Sequence, residues 1–258
     1  MGAGIAEISL SAGFTVFLYD ISDSILRSAQ ARIRTGVKQN HEALRPTTTM
    51  EPLRDCSFII EAASEDLDLK KQIFSALNKI ASEEAVLASN TSSISITALA
   101  KCVAHPENVV GMHFFNPPSK MKLVEIVRGA VTSRSVVAKA TELAKTLGKS
   151  AIVVKDSPGF IVNRVARPFY GEALRILAEG VAYAEDIDAI VRLEGGFRMG
   201  PFELIDLIGV DVNLAVTQSI YEQTFHEPRF RPHPIQKMMV DAGHLGRKTK
   251  RGFYSYEK

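Results

Sequence analysis

His113 sits in Gly111-Met112-His113-Phe114-Phe115-Asn116-Pro117-Pro118, at the end of an apolar, β-rich run and just before two prolines that stop it. Twelve positions later Glu125 interrupts an otherwise apolar strand, Leu123-Val124-Glu125-Ile126-Val127. A carboxylate buried in such a strand is costly without a partner. An imidazole is a suitable partner. A carboxylate on one ring nitrogen selects the tautomer and stabilises the protonated ring, so that the other nitrogen can take a proton from a hydroxyl. The two residues therefore read as a candidate general base, provided that consecutive strands bring them together. The competing reading is a core histidine bonded to backbone and a strand-end glutamate reaching solvent.

Two further polar groups follow the same logic. Ser89-Asn90-Thr91-Ser92-Ser93 comes after another predicted strand, and open α/β sheets take their ligands at strand carboxyl ends. By residue type alone it is equally turn or helix-cap chemistry. Asn163 is a polar residue at the start of an apolar helix, either a capping or inter-domain hydrogen bond or a substrate contact.

A dinucleotide site is announced by a strand, GxGxxG, a helix and then an acidic residue about 20 positions on. The latter half of that pattern is present. Gly2 would be the third glycine, allowing close helix-to-strand packing, and Asp20, at a strand end, would take the ribose hydroxyls. The competing reading is an ordinary glycine-started helix followed by an aspartate capping the next turn.

These residues need a sheet to hold them. Gly2 to Ile8 reads as the first turns of a helix ended by Gly13, Phe14 to Tyr19 as a strand, and Ser22 to about Ile33 as a capped helix. Strands follow at Phe58 to Ala62, Ala85 to Ser89, Val109 to Phe115, Leu123 to Val127 and Ala151 to Val154. Helical stretches at Leu67 to Ala81 and Ser133 to Leu147 lie between them. This alternation predicts a doubly wound, mainly parallel sheet. After Lys155 helix-period segments take over: Phe160 to Gly180, Ala184 to Leu193, Phe202 to Ile208, Asp211 to Phe225 and Ile235 to Asp241. Glu227 to Pro234 reads as an exposed loop. The turn Asp156-Ser157-Pro158-Gly159 divides a nucleotide-binding domain over 1–156 from a helical domain over 157–258.

Composition narrows the function class. With 46% hydrophobic and 23% charged residues in 258, the chain can bury a core, and wholesale disorder is excluded. The net charge of +2 comes from interleaved signs, and the densest basic run, Arg247 to Arg251, is too short to argue for nucleic acid. No apolar run is long enough to span a bilayer. Cys56 and Cys102 lack CxxC spacing and read as buried fillers in a reducing compartment, with no metal site.

Taken in order, these segments resemble the NAD-dependent 3-hydroxyacyl-CoA dehydrogenase family, in its bacterial 3-hydroxybutyryl-CoA type. The likeness is carried by Met1 to Ala6, Ala88 to Ser93, His113 to Pro118, Met121 to Glu125, Pro158 to Arg164, Met199 to Leu204 and the tail from Gly246 to Tyr254. It implies an α/β fold, a Rossmann-like doubly wound sheet followed by an all-α C-terminal domain. It implies oxidation of a (3S)-3-hydroxyacyl-CoA to the 3-oxoacyl-CoA with NAD. His113 is then the base, Glu125 its orienting carboxylate, and Ser92 and Asn163 the substrate's hydrogen-bonding partners. Gly2, Asp20, Glu65, Lys70, Asn90, Ser92, Asn116 and Lys248 match residues of the dinucleotide cleft. The resemblance also implies a homodimer formed through the helical domain; the charge pattern and the lack of a long apolar run predict no nucleic-acid or membrane partner, and the cysteine usage a cytoplasmic enzyme, with the mitochondrial matrix left open. Alternatives are a 3-hydroxyadipyl-CoA dehydrogenase and a non-catalytic protein of lambda-crystallin type.

Three departures from the family pattern stand out. The chain opens at the third glycine, so the first strand of the sheet is expected to be missing and Met1 to be an internal methionine of a longer protein. The stretch Arg34 to Pro52 is shorter than the usual helical arm, and Lys250 stands where the tail motif normally has glycine.

Overall fold

The computed structural model describes residues 1–37 and 40–256. They form two compact units, Met1–Ser157 and Pro158–Lys258.

The first unit runs α1 (Gly2–Ser11), β1 (Val16–Tyr19), α2 (Asp23–Gly36), β2 (Leu44–Thr47), β3 (Phe58–Glu61), α3 (Leu67–Leu77), β4 (Val86–Ser89), α4 (Ile96–Ala100), β5 (Val109–Phe114), β6 (Leu123–Arg128), α5 (Arg134–Thr146) and β7 (Ser150–Lys155). The strands lie in two sheets, β1-β2 and β3-β4-β5-β6-β7. All neighbours pair parallel except β5 and β6. Every residue of β4 and β5 is buried, as expected of strands covered on both faces. The helices α2 to α5 start where small polar side chains accept the first orphan amides: Ser22 from Ile25, Asp66 from Leu69, Ser95 from Ala98 and Ser133 from Val136.

The α1 helix joins the two sheets. Ile5, Ile8 and Ala12 pack with Phe58, Ile60 and Val86 of the larger sheet and with Ala62 just past β3. Ala3, Ala6 and Leu10 pack with Val16 and Leu18 of β1 and with Ile33 and Val37. A short helix can carry apolar residues on two faces when both are covered. Among the described residues, β1 hydrogen-bonds to β2 alone and β3 to β4 alone.

No strand is expected at β2 from the sequence, and Pro46 within it has no N–H to give to a ladder. The register resolves this: β2 is an edge strand, where a residue without an N–H is tolerated. Cys56 and Cys102 are half-buried free thiols rather than buried fillers, and burial pushes the Cys56 thiol up.

The second unit contains α6 (Val162–Ala178), α7 (Ala184–Leu193), α8 (Pro201–Ile208), α9 (Val210–Gln223) and α10 (Pro234–Asp241). Its core is built on Tyr170, Leu174, Phe202, Ile205 and Val210. The α6 helix begins two residues later than the sequence suggests, because Gly159 and Phe160 both take positive φ (73° and 51°), outside the helical region. The segment 227–234 is not a simple exposed loop. A 3-10 turn at Pro228–Phe230 buries Phe230 against α6 and α9, so the aromatic anchors an otherwise polar connection.

Two buried aspartates hold the tail of this unit. Asp188 accepts from the amides of Phe202 and Glu203 and from the Tyr254 hydroxyl, and burial raises its carboxyl pKa. Asp206 accepts from the amides of Phe253 and Tyr254 and from the Tyr256 hydroxyl. A side chain at Gly252 would collide with Asp206, which accounts for glycine there. Lys250 adopts φ 58°, the left-handed conformation that glycine takes without cost, so the departure from the family pattern falls on a position where glycine has a physical advantage. No single described helix is long and apolar enough to cross a membrane.

Candidate active site

The antiparallel pairing of β5 and β6 sets His113 directly opposite Glu125. Directly opposed residues project from the same face of a sheet, so their side chains meet. His113 Nδ1 lies 2.8 Å from Glu125 Oε2, with the two residues 5% and 1% exposed. The carboxylate accepts only if Nδ1 carries the proton, which assigns the tautomer. The Phe115 ring tilts against the imidazole, centroids 4.5 Å apart.

The carboxyl ends of β3 and β4 supply a second cluster. Asn90 Oδ1 accepts from the Phe114 amide at 2.9 Å, tying the end of β4 to the end of β5 beside His113. Glu65 Oε1 accepts from the Thr91 hydroxyl at 2.7 Å, the Ser92 amide at 2.8 Å, and both the amide and hydroxyl of Ser93 at 2.9 and 3.1 Å. Lys70 is fully buried. Its ammonium lies 2.6 Å from Glu61 Oε1, 3.3 Å from the Ala63 carbonyl and 3.9 Å from Glu65 Oε2. The structure thus brings Glu65, Lys70, Asn90 and Ser92 into one network.

Glu61 is the member of that network that the sequence reading missed. Its second oxygen accepts from Ser89 Oγ at 2.6 Å, and Oε1 also accepts from the Ala63 amide at 2.6 Å. The signal was available, since Glu61 closes the apolar strand Phe58-Ile59-Ile60-Glu61 much as Glu125 interrupts its own.

Asp20 ends beside β1, and one of its oxygens accepts from the Ser22 amide at 2.9 Å. The turn-capping role considered for it is therefore realised by Oδ1. Gly2 opens α1 next to the carboxyl end of β3: a Cβ there would lie 3.8 Å from Ala62 Cβ, an ordinary contact. At Gly4 a Cβ would meet the Pro118 ring, with Cδ at 2.9 Å. Asn116 is exposed in the turn after β5. In the second unit, Asn163 is half-buried in the first turn of α6. Lys248 Nζ lies 2.5 and 2.6 Å from the two oxygens of Asp211.

These features fit a dinucleotide. The N-terminus of α1 carries no acidic residue in its first turn and adjoins a strand carboxyl end, the arrangement that receives a pyrophosphate. A second parallel strand ends in the acid that suits ribose hydroxyls.

Mainly parallel sheets with these strand-end groups, followed by a helical unit, define a nucleotide-dependent dehydrogenase fold. Residues 1–157 match the model for the 3-hydroxyacyl-CoA dehydrogenase NAD binding domain, and residues 159–256 match the model for the C-terminal domain of the same enzymes. The chain belongs to the 3-hydroxyacyl-CoA dehydrogenase family, and its cofactor is NAD. It is 46% identical over 270 residues to the 3-hydroxyadipyl-CoA dehydrogenase of Escherichia coli K12, covering 99% of this chain and 57% of the relative. With the 3-hydroxybutyryl-CoA dehydrogenase of Clostridioides difficile it shares 46% over 212 residues, 82% of this chain and 75% of the relative. The crystal structure of (S)-3-hydroxybutyryl-CoA dehydrogenase from Ralstonia eutropha superimposes with a TM-score of 0.95 at 40% identity, covering 100% of this chain and 96% of that one. The chain therefore spans little more than half the length of the Escherichia coli relative.

Proposed function

We propose that this chain oxidises a (3S)-3-hydroxyacyl-CoA to the 3-oxoacyl-CoA with NAD. The observation that carries the reading is the buried 2.8 Å contact between His113 Nδ1 and Glu125 Oε2. With the carboxylate on Nδ1, His113 takes the proton of the 3-hydroxyl through Nε2, and Glu125 stabilises the imidazolium that results. Bound NAD would supply the hydride acceptor for C3, while the residues of this chain supply the base and its orientation. Ser92 and Asn163 hydrogen-bond the substrate in this reading. Gly2, Asp20, Glu65, Asn90, Asn116 and Lys248 serve the cofactor, and Lys70 acts from inside the protein through its bond to Glu65 and Glu61.

The test is NADH appearance with (3S)-3-hydroxybutyryl-CoA. General-base assistance is worth about 10² to 10⁴ in rate, so His113→Gln is expected to lower kcat on that scale while NAD binding persists. A His113→Gln protein with near-full turnover rejects the base assignment. A folded, NAD-binding parent inert on every 3-hydroxyacyl-CoA points instead to a structural protein of lambda-crystallin type.

Two lesser readings accompany this one. Exposed apolar side chains concentrate in the second unit, among them Val165, Tyr183, Ile190, Leu193 and Phe225, and they support a homodimer formed through that unit. The two free thiols favour a reducing compartment, the cytoplasm in the first instance.

A further inference from the structure

Among the described residues of the second unit, three charged side chains are buried: Arg167, Asp188 and Asp206. The two aspartates are bonded to amides and tyrosine hydroxyls at the tail. Arg167, 4% exposed, has no carboxylate partner among the described residues. Its Nη1 donates to the Asn213 carbonyl and to Thr217 Oγ1, each at 2.9 Å, and its guanidinium lies 4.9 Å from the centre of the Tyr170 ring. Its Nε is buried and donates to nothing.

A second orphan stands beside it. Asn213 Oδ1 accepts from Gln236 Nε2 at 2.8 Å, while Asn213 Nδ2 is buried without an acceptor. The junction of α6, α9 and α10 thus holds one positive charge and two unused donors. Buried donors are almost always paired, and each exception calls for an explanation. Desolvation also pushes the guanidinium pKa down to about 10, as expected of a charge without a counterion. The complement of this set is an acceptor with two oxygens and one negative charge. A carboxylate has that form, and its two oxygens match the fork of a guanidinium.

Position along the helix supplies the second half of the argument. Arg167 follows Asn163 by four residues on α6, so the two share a face about 6 Å apart along the axis. On the reading above, Asn163 meets the substrate near its reacting carbon. In a six-carbon diacid thioester two methylenes separate C3 from the far carboxyl, a span on the order of one helical turn.

We propose that Arg167 is a specificity residue that receives the distal carboxylate of a dicarboxylic acyl chain, with the Asn213 amide completing the seat, so that the preferred substrates are ω-carboxylated 3-hydroxyacyl-CoA thioesters of the 3-hydroxyadipyl type. The proposal rests on the 3-hydroxyacyl-CoA reading and narrows it. An acyl chain ending in methyl leaves both donors unpaired, and a site built to hydrogen-bond a polar group discriminates strongly against an analogue that lacks it.

The experiment is isothermal titration of the full chain with adipyl-CoA and with hexanoyl-CoA, which have equal length and differ in a terminal carboxylate or methyl. The parent is expected to bind adipyl-CoA at least about tenfold more tightly, a difference of about 1.4 kcal/mol. In Arg167→Met the ratio of the two affinities is expected to fall towards one. Because the ratio comes from one preparation, a general loosening of the site cancels. Arg167→Gln keeps a donor for the Asn213 carbonyl and is the second variant should the first fail to fold. A parent ratio near one, no binding of either thioester, or a preference that survives in the folded variant overturns the proposal. Turnover of 3-hydroxybutyryl-CoA by the parent is read separately. Turnover without a carboxylate preference defeats this inference alone, whereas a carboxylate preference without turnover of any 3-hydroxyacyl-CoA defeats the reaction and leaves the site standing.

Discussion

Glu61 Oε1 stands 2.6 Å from Lys70 Nζ, and neither side chain is open to water. The contact joins β3 to α3 directly beneath the loop that carries Asn90 and Ser92, since the other Glu61 oxygen holds Ser89 at 2.6 Å. Removing one partner of a buried ion pair strands the other charge, at a cost of about 3–5 kcal/mol, whereas replacing both by apolar groups is often close to neutral. Glu61→Leu is therefore expected to lower the urea midpoint markedly, and Glu61→Leu with Lys70→Leu to recover much of the loss. Circular dichroism against urea reads both. A single variant as stable as the parent would show that this pair contributes little.

Glu125→Gln keeps the size and one acceptor of the carboxylate but removes the negative charge facing His113 Nδ1. The imidazolium formed during oxidation then loses its counter-charge, so kcat is expected to fall by about 10² or more while the KM for NAD changes little. Steady-state kinetics on 3-hydroxybutyryl-CoA separates the two constants. Unchanged kcat would mean that Glu125 serves packing alone.

Asp20→Asn retains the acceptor for the Ser22 amide, so the turn between β1 and α2 should persist. What it removes is the negative charge that disfavours a 2′-phosphate. The preference for NAD over NADP is expected to narrow by roughly tenfold, equivalent to about 1.4 kcal/mol. Titration of both dinucleotides measures it, and a ratio unmoved by the substitution would separate Asp20 from the ribose.

Lys250→Gly removes a side chain from a residue at φ 58°. A non-glycine residue in that region is strained by roughly 1–2 kcal/mol, partly offset by the larger entropy that glycine loses on folding. Net stabilisation of about 1 kcal/mol is expected, seen as a higher Tm. A lower Tm would indicate that the lysine side chain contributes more than its backbone conformation costs.

His233 caps α10 by accepting from the Ile235 amide through Nδ1 at 3.3 Å. Burial, with a smaller contribution from Arg175, lowers its pKa below the usual histidine value. The sign follows from that direction. Below the folded pKa both states bind the proton and the fold carries the full penalty; as pH rises towards the unfolded value, near 6.5, the penalty disappears. Stability is thus expected to fall as the solution is acidified through and below about pH 6.5. His233→Asn keeps a good capping acceptor that does not titrate, so its stability curve should lack that increment. Parallel curves for parent and variant across this range would remove His233 from the pH response.

Much of this architecture is written locally. The period of the apolar residues marks Ala184–Leu193 as a helix with its observed ends, and the strands that hold His113, Glu125 and Ser89 are visible as apolar runs. The cost of burying Glu125 even demands a partner before any fold is known. Which partner it finds depends on register: a slip of one residue between β5 and β6 would send the two side chains to opposite faces. The same holds for Lys70, which as a sequence letter is a surface lysine and becomes a fully buried cation because Glu61, nine positions away, ends the neighbouring strand. Pro46 hides β2 until the sheet shows it to be an edge, and Phe230 looks like part of a polar loop until α6 and α9 cover it. Arg167 meets Thr217 across fifty positions of chain. Periodicity reports the conformation of neighbours in sequence, whereas pairing, burial and the company a charge keeps are settled among residues far apart in the chain, and those are the properties the tertiary structure alone decided.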